Sequence, residues 1–194
     1  MTDRELVQGI IDRDQAAFKE LVETHQQLVI RTCYSLVHEL EDARDLAQEV
    51  FIEIMKSASA FRGTAKLSSW IYRIAVNKSL NHLKRSRRRE AFTLFSFQDR
   101  SGKERGEEVP TGNSSTDGDA VMEEKELKRA LHMAINKLPE NQKIAFTLHK
   151  YEELSYKEVA EVMHVSLSSV ESLIHRAKLN LQKILRCYYD SNHK

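Results

Sequence analysis

Two clusters of residues in this chain have the types and spacing to hold a polyanion. The first is Lys84-Arg85-Ser86-Arg87-Arg88-Arg89, the basic end of a stretch that opens Ser69-Trp70-Ile71-Tyr72-Arg73-Ile74-Ala75-Val76-Asn77. At helical spacing Arg73, Asn77, Asn81, Lys84 and Arg88 share one face, a ladder of amide and cationic groups opposite an apolar stripe. Like charges this dense repel one another unless a polyanion is near, so phosphate contact is expected of Arg85, Arg87, Arg88 and Arg89. Aromatic rings interleave with the cations, and a base stacked on such a ring gains ~1–3 kcal/mol. Trp70, however, is in register with Ile71 and Ile74, which predicts a core position for it.

The second cluster lies far downstream, from Leu154 to Lys178. Ser155 followed by Glu158 has capping-box spacing, and Ser166 is a second N-cap. Between the caps, Val159, Ala160 and Met163 form a short apolar face, and beyond them Val170, Ile174, Ala177 and Leu181 form another. That is a helix–turn–helix pattern. Its second helix would turn Ser168, Ser169, Glu171, Ser172, His175, Arg176 and Lys178 outward, as a recognition helix presents polar groups to base edges and cations to phosphates. An ordinary helical hairpin with a solvated outer face fits the same pattern. His164 occupies the turn where glycine is common, and histidine tolerates the left-handed backbone better than a β-branched residue does.

The elements that must position these groups are helices throughout. Phe18, Leu21, Val22, Leu28, Val29, Cys33 and Leu36 make one stripe at helical period, and Leu46, Ala47, Val50, Phe51, Ile54 and Ala58 make the next. A third begins at Leu67, and the period resumes with Leu127, Ala130, Leu131, Ala134, Ile135 and Leu138. No sustained period-two run appears, so the fold class expected is all-α. Between the halves Gly, Ser, Asn, Pro110 and mixed charges dominate, a composition that cannot bury enough apolar surface to offset the entropy of ordering. The expected organisation is therefore two small helical domains on a string: residues 1–92, a flexible linker over 93–121, and a helix–turn–helix domain over 122–194.

The 194 residues carry a net charge of only +1, so a nucleic-acid reading rests on segregation of charge and not on its sum. No apolar run approaches the ~20 residues needed to span a bilayer. Cys33 and Cys187 lack metal-ligand spacing, which suits a reduced cytoplasmic protein. Paired carboxylates, a metal cluster or a phosphate-cradling glycine loop are not found. No catalytic residue, metal, cofactor or small-molecule substrate is expected, and the protein is not read as an enzyme.

In this order, four stretches closely resemble the sigma-70 family of RNA polymerase sigma factors, in its extracytoplasmic function (ECF) class. They are residues 42–51, Phe61-Arg62-Gly63 with residues 69–77, Leu138-Pro139-Glu140, and residues 155–178. The resemblance implies an alternative sigma factor that binds core RNA polymerase and directs initiation at promoter DNA. Asp42, Asp45, Gln48 and Glu49 would supply polar contacts to the β′ clamp helices, with Phe51 as apolar anchor, and the polymerase β flap would be a further contact. Phe61, Arg62 and Asn77 would line a pocket for a base flipped from the −10 element's non-template strand, with Arg73, Lys84, Arg85 and Arg88 as further −10 contacts. The helix–turn–helix would read the −35 element, where Glu171 replaces the more usual Lys or Arg and could accept from cytosine N4. The linker would thread the polymerase active-site and RNA-exit region. The class also implies an anti-sigma partner, usually membrane-anchored, that would hold the factor at the inner membrane face.

Two rival readings are a free-standing dimeric repressor or activator and a nucleic-acid enzyme. Residues 42–51 and the loop at Phe61 separate the first rival from a sigma factor, because a repressor has no use for them.

Overall fold

A computed structural model describes residues 2–98 and 119–192, with side chains for 2–89, 126–127 and 129–190. Every element among the described residues is helical. Helices α1 (Asp3–Ile11), α2 (Gln15–Val37), α3 (Leu40–Ser57) and α4 (Leu67–Gln98) form the N-terminal half, with a 3-10 turn over Ala58–Ala60. Helices α5 (Asp119–Asn136), α6 (Glu140–Lys150), α7 (Tyr156–Met163) and α8 (Leu167–Asn192) form the C-terminal half. The centre of the expected linker, 99–118, lies outside the described residues. Its ends do not: α4 continues to Gln98 and α5 begins at Asp119, so both flanking helices run into the range expected as linker. None of the helices described is long and apolar enough to cross a membrane.

Local chemistry sets the helix ends. The Thr2 hydroxyl accepts from the Glu5 amide at 3.3 Å while the Glu5 carboxylate accepts from the Thr2 amide at 2.8 Å, a reciprocal cap on α1. Asp14 accepts from Ala16 N at 2.9 Å to start α2, which ends where His38 turns left-handed at φ 63°. Helix α4 is capped from a distance: the Asp3 carboxylate accepts from the Leu67 amide at 3.1 Å, satisfying a donor that its own turn leaves free. Gly9 lets α1 cross α2 closely, since a Cβ there would lie 2.6 Å from the Ala17 Cβ.

The apolar stripes become three cores. Leu21, Val29, Val50, Ile54, Leu67 and Ile71 centre the first, inside the N-terminal half. Ile135, Leu138, Ala177 and Leu181 belong to the third, inside the C-terminal half. The second core is shared: Leu36, Tyr72 and Val76 of the N-terminal half pack with Ile144, Leu148, Val162 and Ile174 of the other. The halves therefore sit against each other rather than apart on a string. Periodicity shows which face of a helix is buried but not what buries it, and the stripe holding Leu36 reads equally well as private core.

Polar groups cross this shared boundary. The Arg31 guanidinium, its side chain 61% exposed, meets the fully buried Glu152 carboxylate at 2.9 Å. The buried Lys143 ammonium donates to the Leu36 carbonyl at 2.8 Å and to Asn136 Oδ1 at 2.6 Å. Burial pulls the Lys143 amine down to about 8.

Candidate nucleic-acid interface

The polar face of α4 forms as the spacing predicts, but its groups meet different environments. Asn77, Asn81, Lys84, Arg85 and Arg88 are exposed, whereas Arg73 is half-buried. Burial lowers the Arg73 pKa, its Nη2 donates weakly to the Glu161 carbonyl at 3.4 Å, and its Nε is enclosed without a partner. Lys84 pairs with Glu140 at 3.0 Å. Both Glu161 and Glu140 belong to the C-terminal half, so two of the expected −10 contacts are already engaged by the chain itself.

Asn77, Asn81 and Arg85 border an open polar cleft of about 360 Å³ between α3 and α4. Glu49 and Glu53 line its other wall and hold Lys78 between them, at 3.8 and 3.1 Å. Glu49, expected among the polymerase contacts, is thus paired inside this cleft. Of the expected base-pocket trio, Asn77 lines this cleft, whose lining does not include Phe61 or Arg62. Phe61 packs instead against Trp70, with ring centroids 5.3 Å apart, and Trp70 joins the first core as expected. Arg62 is exposed, and Gly63 beside it takes φ +66°, which makes the loop turn where the sequence places it.

Along α3, Asp45 and Gln48 are exposed, while Asp42 lies 3.1 Å from the His82 imidazole of α4. Phe51 differs from its expected role as anchor. It is 8% exposed and packs into the first core, so its ring is withdrawn from the face that carries Asp45 and Gln48. Ile52 and Met55, 50% and 51% exposed, stand on that face in its place. The spacing 45, 48, 52, 55 places these residues on one helical face, beside the apolar stripe that takes Phe51 inward.

The helix–turn–helix assembles from α7 and α8. Ser155 and Glu158 cap each other reciprocally, the Ser155 hydroxyl accepting from Glu158 N at 3.3 Å and the carboxylate accepting from Ser155 N at 3.1 Å. Lys66 adds an ion pair to Glu158 at 2.9 Å, and these donors pull the Glu158 carboxyl down to about 2. His164 takes φ 54° and ψ 44°, the left-handed turn expected of it. The Ser166 hydroxyl accepts from Ser169 N at 3.2 Å to start α8. Val170, Ile174, Ala177 and Leu181 are buried as the stripe predicts. Ser168, Glu171, His175, Arg176 and Lys178 are exposed, and Ser169 and Ser172 half-exposed, in the first turns of α8.

Comparison with known proteins agrees with this geometry. Residues 21–89 match the model of sigma-70 region 2, and residues 128–181 match that of sigma-70 region 4. The chain is 32% identical to the RNA polymerase sigma-H factor of Pseudomonas aeruginosa over 184 residues, covering 95% of this chain and 94% of that protein. It is 34% identical to the ECF RNA polymerase sigma-E factor of Haemophilus influenzae over 181 residues, 92% of each. Its fold is similar to that of CnrH solved with the cytosolic domain of CnrY, at a TM-score of 0.63, 21% identity, and coverage of 95% of this chain and 97% of that one. It is also similar to the sigma factor RpoE of Bartonella quintana solved with the anti-sigma factor NepR. There the TM-score is 0.57 at 21% identity, over 87% of this chain and 96% of that one.

Proposed function

The chain belongs to the sigma-70 family, in its extracytoplasmic function class, and on that premise we propose how α3, α4 and α8 divide the work of promoter-specific initiation. Helix α3 docks on the β′ clamp helices of core polymerase through Asp45 and Gln48, with Ile52 and Met55 as its apolar contacts. Helix α4 meets the −10 element with Asn77, Arg85 and Arg88, and with Arg73 and Lys84 once the C-terminal half has moved away. Helix α8 enters the major groove at the −35 element with Ser168, Ser169, Glu171, Ser172, His175, Arg176 and Lys178. Residues 1–92 and 122–194 serve as the −10 and −35 units, joined by the linker.

The carrying observation is the exposed, mixed apolar and polar face of α3, held in one chain with two cationic helices. A free-standing repressor has no use for that face. Trapping a single strand shifts the duplex equilibrium toward opening without ATP, because the captured form is removed from it. Glu171, exposed on α8, accepts a hydrogen bond from cytosine N4 and repels phosphate, which sets a −35 preference unlike that of a Lys or Arg. The factor acts in the cytoplasm, and an anti-sigma partner, membrane-anchored as is usual in the class, holds it at the inner membrane face when idle.

Core binding is the direct test. The wild-type chain is expected to co-purify with core polymerase, and failure to do so would sink this reading. Ile52→Asp, at a half-exposed position, should keep the thermal midpoint while weakening core affinity by about 30-fold, the size of a ~2 kcal/mol hot spot. A second expectation concerns the −10 unit in the assembled holoenzyme. Asn77→Ala should lower the rate of strand opening, read by permanganate reactivity of unpaired thymines, while binding to the closed duplex promoter stays within about twofold. Equal loss of duplex binding would contradict the assignment.

A further inference from the structure

Where the two halves meet, one contact is made by groups of the same charge tendency. The His38 imidazole, at the C-terminal end of α2, stacks on His132 of α5 with centroids 4.5 Å apart and planes 14° from parallel. The His38 Nε2 is enclosed and has no hydrogen-bond partner. The Lys143 ammonium of α6 sits close by, donating to the Leu36 carbonyl on the same helix end. The charges acting on His38 are those of Lys143 and His132, and Arg87 of α4 acts in turn on Lys143. Every one of these groups is basic. A protonated His38 would set its charge against the stacked His132 ring and the Lys143 ammonium, so the arrangement is stable only while His38 is neutral.

We propose that the His38–His132 stack, with Lys143 beside it, is an acid-sensitive latch that holds the C-terminal half over α4 near neutral pH and releases it on acidification. The closed arrangement engages Arg73 through the Glu161 carbonyl and Lys84 through Glu140. Release therefore frees two cations for promoter DNA. That consequence rests on the role assigned to α4, whereas the latch is read by distance alone, so failure of one is distinguishable from failure of the other.

The direction follows from proton linkage. Burial first, then Lys143 and His132, depress the His38 pKa from its ordinary 6.5 to about 4 in the closed form. The closed form thus binds fewer protons than the open one. Closing is fully favoured above about pH 6.5 and weakens progressively as pH falls from there toward 4. Between about pH 7.5 and 5.5 the ratio of open to closed chain should rise about tenfold. Glu152 works in the opposite sense, because burial raises its carboxyl in the closed form. The experiment accordingly removes the imidazoles and leaves Glu152 in place.

The measurement is energy transfer in the full chain, between dyes at Lys19→Cys on α2 and Lys183→Cys on α8 in a Cys187→Ser background. Cys33 is buried, with its thiol pushed up to about 11, and does not label. The wild-type background should show a short distance at about pH 7.5 and a roughly tenfold larger open-to-closed ratio at pH 5.5, with helix content by circular dichroism unchanged. The His38→Asn/His132→Gln double variant should hold its ratio within about twofold over the same range, asparagine keeping the left-handed turn at 38. Three outcomes overturn the latch: a wild-type distance that ignores pH or is long at both, an undiminished response in the double variant, or a response that tracks loss of helix.

Discussion

Arg31→Ala is expected to separate the two halves and to raise, not lower, the affinity of the free chain for single-stranded −10 DNA. The Glu152 carboxylate is fully buried and receives the Arg31 guanidinium at 2.9 Å, with the Tyr72 hydroxyl at 3.5 Å. Without Arg31 the closed form keeps a fully buried carboxylate without the cation that pairs with it. Removing one partner of a fully buried pair costs about 3–5 kcal/mol. The Arg31 side chain is 61% exposed, so water screens part of its attraction, and a loss of about 1–3 kcal/mol is expected here. That shifts the open-to-closed ratio by roughly 5- to 150-fold. Small-angle scattering should show a larger radius of gyration, and titration with a labelled −10 oligonucleotide should show tighter binding. An unchanged radius together with unchanged binding would mean that this ion pair does not hold the halves together. The pH response of this variant also has a defined sign. With the lowering influence of Arg31 gone, the Glu152 carboxyl in the closed form rises further above its ordinary range. Its contribution to closing is then recovered only by protonation and is lost as pH climbs through that raised value.

The second large effect is on the recognition helix. Ile174 is 1% exposed in the shared core and holds α8 against α7 and α6. Truncation to alanine removes buried methylenes and leaves a cavity, a loss of about 2–5 kcal/mol. Ile174→Ala should lower the thermal midpoint and loosen the seating of α8, abolishing −35-dependent transcription at temperatures the wild type tolerates. Arg176→Ala, exposed two positions on, provides the contrast. It should leave the midpoint within about 1 °C, since surface changes are worth roughly ±0.5 kcal/mol or less, while −35-dependent binding of the holoenzyme falls about tenfold. If the two variants lost stability and binding in equal measure, Arg176 would be a structural residue and not a reader.

Much of this molecule was legible in its sequence, for reasons that differ by element. The caps at Ser155 and Ser166 and the left-handed His164 are local chemistry, decided within a few residues, and each forms as the spacing predicts. The outward set on α8 follows from the same local logic, because a buried stripe of Val170, Ile174 and Ala177 leaves only one side free. The Phe51 ring shows where that logic stops. An aromatic near the edge of an amphipathic stripe can face either way, and here α2 and α4 supply enough apolar surface to take it, leaving Ile52 and Met55 outside. The packing of the halves was illegible for a stronger reason. Arg31 and Glu152 are 121 positions apart, and nothing in the sequence near either residue signals the other. Leu36 reads as one member of a helical stripe, and Arg73 as one rung of the polar ladder on α4. Each is altered by a partner half that the sequence could not place.

The carboxylate of Asp3 on the first amide of α4 spans 64 positions of chain. The start of α4 is therefore capped by a residue of α1. In terms of folding order, α1 leaves the ribosome long before α4 exists, and it completes its role only when α4 arrives. The start of α4 is a non-local closure of the kind that forms late and opens early. The N-terminal segment thus acts as an alignment device for a surface far along the chain, and on the division of work proposed above the −10 surface of α4 takes its register in part from α1.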